Sequence, residues 1–156
     1  MDFAELINDL KKGIGLVRVK AASELGKLRD KRAEKALIAA LSDSNMGVRS
    51  NAAFALGELV SKEAVLSLIA LLKDPEERVR KSAVKALGMI GANKAVVPLI
   101  QTLNLDTSQI VRKSAIRSLG QIGNSQAVQA VERAAANPDI MLSNMAQKAL
   151  EKLKKQ

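Results

Sequence analysis

The sequence contains no cysteine, histidine, tryptophan or tyrosine, and its only aromatic residues are Phe3 and Phe54. Without cysteine there can be no disulfide, thiolate metal site or cysteine nucleophile. Without histidine the chain lacks the commonest general base and the commonest metal ligand of proteins. The scarcity of aromatic rings removes the stacking platforms on which single-strand binding proteins rely. We therefore expect no catalytic residue, no metal and no cofactor.

Long apolar runs are also missing. Every apolar segment is shorter than the roughly 20 consecutive residues that a transmembrane helix needs. The residues after Met1 lack the basic stretch and apolar run of a secretory signal. These features predict a cytoplasmic protein that does not bind membranes.

The chain instead contains an internal repeat. The phrase Val-Arg-x-x-Ala-x-x-x-Leu-Gly begins at Val17, Val48, Val79 and Val111, with intervals of 31, 31 and 32 residues. A fixed period in this range is typical of a supersecondary unit stacked on copies of itself, each burying its apolar face against its neighbours. Such an array offers a long surface to a partner and need not contain a reaction centre.

Each repeat is predicted to be a helical hairpin. In the second repeat, apolar residues at 48, 52, 56 and 59 share one helical face, and a second apolar pattern follows over 64–72. We expect an all-α fold, a right-handed α-solenoid or alpha-alpha superhelix of about ten helices, forming a single domain over 1–156. The predicted parts are an N-terminal half repeat over 2–15, full repeats over 16–46, 47–77, 78–109 and 110–140, and a C-terminal capping helix over 141–156.

Glycines recur at two places in this pattern. Because glycine destabilises a helix interior, its recurrence inside the first helices indicates close approach of a neighbouring helix. These interior glycines are Gly26, Gly57, Gly88 and Gly120. The turn after the first helix contains Gly91 and Gly123 in the later repeats, where the earlier repeats have Arg29 and Val60.

Residues 79–91, with the apolar stretch 95–100 that follows, resemble the short HEAT-like repeats of the phycobilisome lyase type, which consensus-designed artificial repeat proteins also imitate. The resemblance extends over nearly the whole chain. It implies the solenoid fold, whereas similar proteins range from chromophore lyase subunits to regulatory scaffolds and DNA-glycosylase-like proteins. The paired His-Glu metal ligands of the HEAT-repeat hydroxylases are missing here.

One arginine and one aspartate recur in each repeat. In similar proteins the arginine bonds carboxylates and backbone carbonyls between repeats, and guanidinium groups suit such constrained, bidentate pairing. The aspartates stand five residues before the next Val-Arg, where a short polar side chain can cap a turn or a helix. This predicted structural ladder consists of Arg18, Arg49, Arg80 and Arg112 with Asp43, Asp74 and Asp106. The alternative, a row of anion-binding guanidiniums, is less favoured.

The formal charge of +9 is concentrated on one predicted surface. If positions 1, 5, 9 and 12 of the first helices face the core, positions 3, 4, 7 and 11 face away, and the resemblance implies that they line the concave side. These positions contain one acid, Glu58, and eight cations, which gives 8 − 1 = +7. The cations are Lys20, Lys27, Lys81, Lys85, Lys113, Arg117, Lys148 and Lys152. Phe54 and Met89 add apolar contact points there or pack partly buried.

The leading hypothesis is a non-catalytic protein–protein interaction scaffold or adaptor whose basic concave surface binds an acidic protein or peptide. One alternative is sequence-nonspecific nucleic-acid binding through phosphate contacts. Another, implied by the resemblance alone, is a subunit of a bilin lyase-type complex. Lysines are also common at exposed helical positions without any ligand. We assume a monomer.

Overall fold

The computed structural model describes residues 1–156, which form ten α-helices and no β-strand. The helices are α1 (Phe3–Lys12), α2 (Gly15–Leu28), α3 (Glu34–Ala40), α4 (Met46–Glu58), α5 (Val65–Ala70), α6 (Glu77–Ile90), α7 (Val96–Leu105), α8 (Gln109–Ile122), α9 (Ser125–Ala135) and α10 (Ile140–Lys154). Short 3₁₀ turns precede α3, α5 and α7 and follow α5. The predicted right-handed α-solenoid of ten helices is therefore confirmed, whereas the repeat boundaries remain a prediction.

Helix α4 illustrates how the repeated phrase forms a helix. The Asn45 side chain caps its N-terminus by accepting hydrogen bonds from the backbone N–H groups of Gly47, at 2.8 Å, and Val48, at 3.4 Å. Val48, Ala52 and Leu56 follow at helical spacing and are fully buried. The core-facing positions inferred from the periodicity thus lie on the buried side of the helix.

In each of the four hairpins, the first helix is followed by a residue with left-handed backbone conformation. The φ angles are 51° for Arg29, 51° for Val60, 72° for Gly91 and 66° for Gly123. Glycine adopts this conformation without steric cost, whereas a β-branched residue such as valine is an outlier there. The same turn geometry is therefore retained in every hairpin, although the first two repeats reach it with unfavourable residues.

The helices form two layers that differ in spacing. Helices α2, α4, α6, α8 and α10 pack directly against one another in chain order. The interior glycines permit this approach, as a Cβ added at Gly57 would lie 2.8 Å from Ala86 Cα. The prediction that these glycines mark close helix approach is confirmed.

The second layer is more open. Helices α1, α3, α5, α7 and α9 contact mainly the first helix of the following repeat, and a groove of about 490 Å³ separates the end of α5 from α7. Each of the helices α2, α4, α6, α8 and α10 keeps one exposed face, which is the face assigned to the concave side in the sequence analysis. We call this free face of α2, α4, α6, α8 and α10 the inner surface.

A single apolar core runs through the whole stack. It is one connected cluster of 40 buried residues, as expected of repeats that bury their apolar faces against their neighbours. Leucines at register-equivalent positions, such as Leu25, Leu56, Leu87 and Leu119, are fully buried along its length. None of the helices combines the length and the apolar character required to cross a membrane.

Candidate functional site

The recurring arginines form ion pairs between successive repeats. Arg49 shows the pattern, because its Nε and Nη2 donate to the two carboxylate oxygens of Asp74 at 2.9 and 3.2 Å. Its Nη1 donates to the backbone carbonyls of Asp43 and Ser44. Three such pairs recur along the stack, Arg18 with Asp43 at 2.8 Å, Arg49 with Asp74 at 2.9 Å and Arg80 with Asp106 at 2.9 Å. Each arginine therefore ties together two loops and a helix.

The aspartates of these pairs also cap the turn before each first helix. Asp74 Oδ1 accepts a hydrogen bond from the Glu76 backbone N–H at 2.9 Å, and Asp43 makes the same contact with Asn45 at 2.8 Å. The hydrogen bonds from Arg18 lower the pKa of Asp43 below its ordinary value, although burial opposes the shift. These carboxylates therefore stabilise both the turn and the contact between repeats.

The fourth arginine of the predicted ladder is bonded differently. Arg112 Nε donates to the Leu103 carbonyl at 2.7 Å and has no carboxylate partner. The residue at the position equivalent to the paired aspartates is Asn137, which keeps the turn by accepting a hydrogen bond from the Asp139 backbone N–H at 2.8 Å. An amide cannot pair ionically with a guanidinium, so this repeat retains the turn but not the ion pair.

Six of the predicted surface cations line two neighbouring grooves on the inner surface. The first groove, of about 210 Å³, contains Lys81 and Lys85 from α6 with Lys113 and Arg117 from α8. The second, of about 290 Å³, contains Lys113 and Arg117 again. It also contains Lys148 and Lys152 from α10. We call these six residues the cationic cluster.

The cationic cluster contains no compensating acid. Neither groove is lined by an aspartate or a glutamate, and none of the six cations belongs to an ion pair. Partial burial lowers the pKa of Lys85, and the neighbouring charges of Lys81 and Arg117 lower it further. The cluster is thus a region of like charge whose electrostatic energy falls when an anion binds.

The N-terminal part of the predicted surface has a different character. Lys27 Nζ lies 2.8 Å from Glu24, and Glu58 pairs with Arg29 at 2.5 Å. Lys27 and Glu58 line a groove of about 270 Å³ together with the exposed Phe54. Lys20 is exposed on α2 and lines none of these three grooves. Lys20 and Lys27 thus lie outside the two grooves that the other six predicted cations line.

Some side chains on the inner surface serve packing. Met89 is half buried, and its Sδ would lie 3.1 Å from a Cβ added at Gly57. Met145 is buried against the core. No group of three or more acidic side chains is placed to hold a metal ion.

Two apolar residues beside the cationic cluster were missed by the sequence reasoning. Ile110 and Met141 are exposed and line the same groove as Lys81 and Lys113. Each directly precedes a buried apolar residue, and adjacent residues of a helix point about 100° apart, so a large residue beside the first core position is turned toward the edge of the buried face. The adjacent apolar residues Ile110-Val111 and Met141-Leu142 were therefore the sequence feature from which two exposed apolar side chains could have been predicted.

The repeat and its packing agree with a known family. The HEAT repeat family model matches residues 4–65, 36–115 and 96–156, so its matches together extend over nearly the whole chain. The chain belongs to the HEAT repeat family. A comparison of this HEAT repeat protein with curated protein sequences finds no match.

Solved structures with the same architecture include natural and designed arrays. A chain in the structure of the complex of CpcE and CpcF of phycocyanin lyase from Nostoc sp. PCC7120 is 28% identical and superimposes with a TM-score of 0.84 over 100% of this chain. The match covers 66% of that chain, so this HEAT repeat protein spans slightly less than two thirds of its length.

Two engineered proteins are also similar to the array. A computationally designed armadillo repeat protein for modular peptide recognition is 24% identical with a TM-score of 0.67, covering 94% of this chain and 79% of that chain. A further engineered protein is 23% identical with a TM-score of 0.67, covering 96% and 78% of the two chains. At this level of identity the similarity concerns the fold.

Proposed function

We propose that this HEAT repeat protein is a non-catalytic interaction module whose cationic cluster binds an acidic segment of a protein partner. The observation that supports the proposal is the pair of adjoining grooves lined by six cations and no acid. Exposed helices ordinarily mix charges of both signs, as the Lys27–Glu24 pair on α2 does. The segregation of charge at α6, α8 and α10 is therefore best complemented by an acidic partner.

The shape of the grooves favours side chains over a bound small molecule. The first groove, of about 210 Å³, is smaller than the roughly 300–1,000 Å³ of typical small-molecule pockets, and the second, of about 290 Å³, lies at the lower limit of that range. Both grooves are open and lie side by side, with Lys113 and Arg117 lining each of them. An extended acidic segment could contact both grooves at once, and its carboxylates would relieve the repulsion around Lys85.

The proposal is tested by reversing charges within the cluster. The variant Lys85→Glu/Arg117→Glu/Lys148→Glu is titrated against a fluorescein-labelled oligoglutamate peptide by fluorescence anisotropy at low salt. Each exposed ion pair is worth about 0.2–1 kcal/mol, so the loss of three contacts should lower the affinity by about three- to 150-fold. Circular dichroism establishes that the variant remains helical.

A matched control separates local from overall charge. The variant Lys31→Glu/Lys62→Glu/Lys94→Glu makes the same change in net charge at exposed residues of the turns between helices. We expect this control to retain most of the affinity. If the two variants weakened binding equally, or if the unaltered protein did not bind the peptide, the cationic cluster would not be the proposed site.

Nucleic-acid binding is a second candidate because the net charge of +9 and the same clustered cations suit contacts to phosphates. Binding of this kind weakens steeply with salt, since counterions are released from the nucleic acid. Anisotropy titrations with a labelled DNA duplex and a labelled single strand, each at two salt concentrations, test it. Absence of binding at low salt would eliminate this candidate.

A third candidate, a subunit of a bilin lyase-type complex, is supported by the similarity to the phycocyanin lyase chain at 28% identity. In that reading the cations would hold the propionate groups of a tetrapyrrole, and a second subunit would complete the active complex. Absorbance spectra with a bilin, recorded with and without a candidate partner subunit, test it. Unchanged spectra in both cases would count decisively against this function.

A further inference from the structure

Two exposed apolar side chains, Ile110 and Met141, form a small patch beside the groove between α6, α8 and α10, and we call this patch the apolar step. Ile110 and Met141 occupy register-equivalent positions in the first turns of α8 and α10, and their exposed fractions are 52% and 51%. Met145, one turn further along α10, is only 8% exposed and lines the same groove. Two large apolar side chains are thus left in water directly beside the cationic cluster.

The step and the cations are separated by a fixed distance along the helices. Ile110 and Arg117 are seven residues apart on α8, as are Met141 and Lys148 on α10. At 1.5 Å per residue, each separation corresponds to about 10 Å along the helix axis. An extended peptide rises about 3.3 Å per residue, so about three of its residues span this distance.

We propose that the preferred occupant of this surface is an extended acidic protein segment that carries one large apolar side chain about three residues from its carboxylates. The apolar side chain packs on Ile110 and Met141, and the carboxylates contact Arg117 and Lys148. This inference rests on the proposed function and specifies the chemistry of the partner.

The apolar step favours a protein segment over a nucleic acid. Cations satisfy a carboxylate and a phosphate alike, but a sugar–phosphate backbone has no large aliphatic group to bury on Ile110 and Met141. A leucine or isoleucine buried there contributes through the hydrophobic effect, independently of salt screening. The combination of clustered cations with an adjoining apolar step therefore distinguishes the two classes of polyanion.

The test compares three labelled peptides of equal length and charge. One contains only glutamate and serine, one carries a leucine three residues from a run of glutamates, and one carries the leucine seven residues away. Burying about half to all of a leucine side chain corresponds to a gain of about tenfold in affinity. We expect this gain for the three-residue spacing and a smaller one for the seven-residue spacing.

Substitutions of the apolar step complete the test. The variant Ile110→Ala/Met141→Ala should abolish the gain from leucine and leave binding of the leucine-free peptide unchanged. The control Leu66→Ala/Val97→Ala removes two other exposed apolar side chains, on α5 and α7, and should alter neither affinity.

The outcomes separate the two proposals. Equal binding of all three peptides, or an equal loss for every peptide in the Ile110→Ala/Met141→Ala variant, would overturn the apolar contact while leaving acidic-segment binding intact. If no peptide bound whereas the labelled DNA did, both the proposed function and this inference would fail in favour of nucleic-acid binding.

Discussion

The close packing of the inner helices makes a specific prediction for Gly57. A Cβ at this position would lie 2.8 Å from Ala86 Cα and 3.1 Å from Ala86 Cβ. Carbon atoms in contact are ordinarily about 3.5–4.0 Å apart, so α4 and α6 would have to separate by about 0.7 Å. Both atoms belong to the middle of a helix, and α4 is held between α2 and α6. The strain therefore cannot be relieved by rotating a side chain.

The expected effect of Gly57→Ala is a loss of stability. Overpacking of this kind costs about 1–3 kcal/mol, and the higher helix propensity of alanine returns at most about 1 kcal/mol. Because the clash involves a backbone atom, we expect an overpacking cost in the upper part of the 1–3 kcal/mol range. After the gain in helix propensity, the free energy of unfolding should fall by about 1–2 kcal/mol. For a chain of this size, that corresponds to a melting temperature about 2–8 °C lower.

Gly120→Ala is the matched comparison at the end of the stack. A Cβ there would meet only Ala149 Cβ, at 3.2 Å, and α10 packs on α8 and α9, whereas α4 is packed between α2 and α6. Because α10 can move outward, we expect Gly120→Ala to be neutral or stabilising by up to about 1 kcal/mol. Thermal and urea unfolding followed by circular dichroism measure both variants. Equal stabilities, or a more stable Gly57→Ala, would refute the packing argument.

Further predictions concern the ion pairs and the core. Asp106→Asn keeps an acceptor for the turn but loses a charged partner of Arg80, so urea unfolding should show a loss of about 1–3 kcal/mol; an unchanged midpoint would contradict a stabilising pair. Because pairing depresses the pKa of folded Asp43, its contribution is present above its unfolded pKa of about 3.9 and is lost as pH falls through the folded pKa. The stability difference between the unaltered protein and Asp43→Asn should therefore narrow below about pH 4, whereas a constant difference would exclude an ionic contribution. Leu56→Ala should cost about 2–5 kcal/mol and the exposed Leu66→Ala less than about 0.5 kcal/mol, so similar losses would contradict the assigned burial.

The fold could be predicted in detail because the repeat imposes the same periodicity in every hairpin. The spacing of Val48, Ala52 and Leu56 predicts that all three lie on the buried face of one helix, and their complete burial confirms this prediction. The interior glycines were informative for the same reason. Glycine weakens the helix that contains it, so its recurrence at the same position of each repeat indicates that an adjacent helix packs closely there. At Gly57, that adjacent residue is Ala86 on α6.

The division of the inner surface into two regions could not be predicted as reliably. Helical position assigns Lys27 and Lys85 to the same exposed face, but it does not show which acids reach them. Glu58, for example, pairs with Arg29, which is 29 residues away in the preceding repeat, and this contact depends on how the two repeats pack. The contacts of Arg112 are a second example. This arginine has no carboxylate partner because Asn137, 25 residues further along the chain, occupies the position of the paired aspartates.

Binding of an acidic segment at α6, α8 and α10 can be located residue by residue by NMR spectroscopy. A chain of 156 residues is suited to NMR, so backbone amide shifts can be followed while unlabelled oligoglutamate is added. We expect the largest shift changes around Lys85, Lys113, Arg117 and Lys148, with little change around Phe54 or on the second helix of each repeat. Changes centred on α1–α4, or none at concentrations where single-stranded DNA perturbs the same residues, would contradict this expectation.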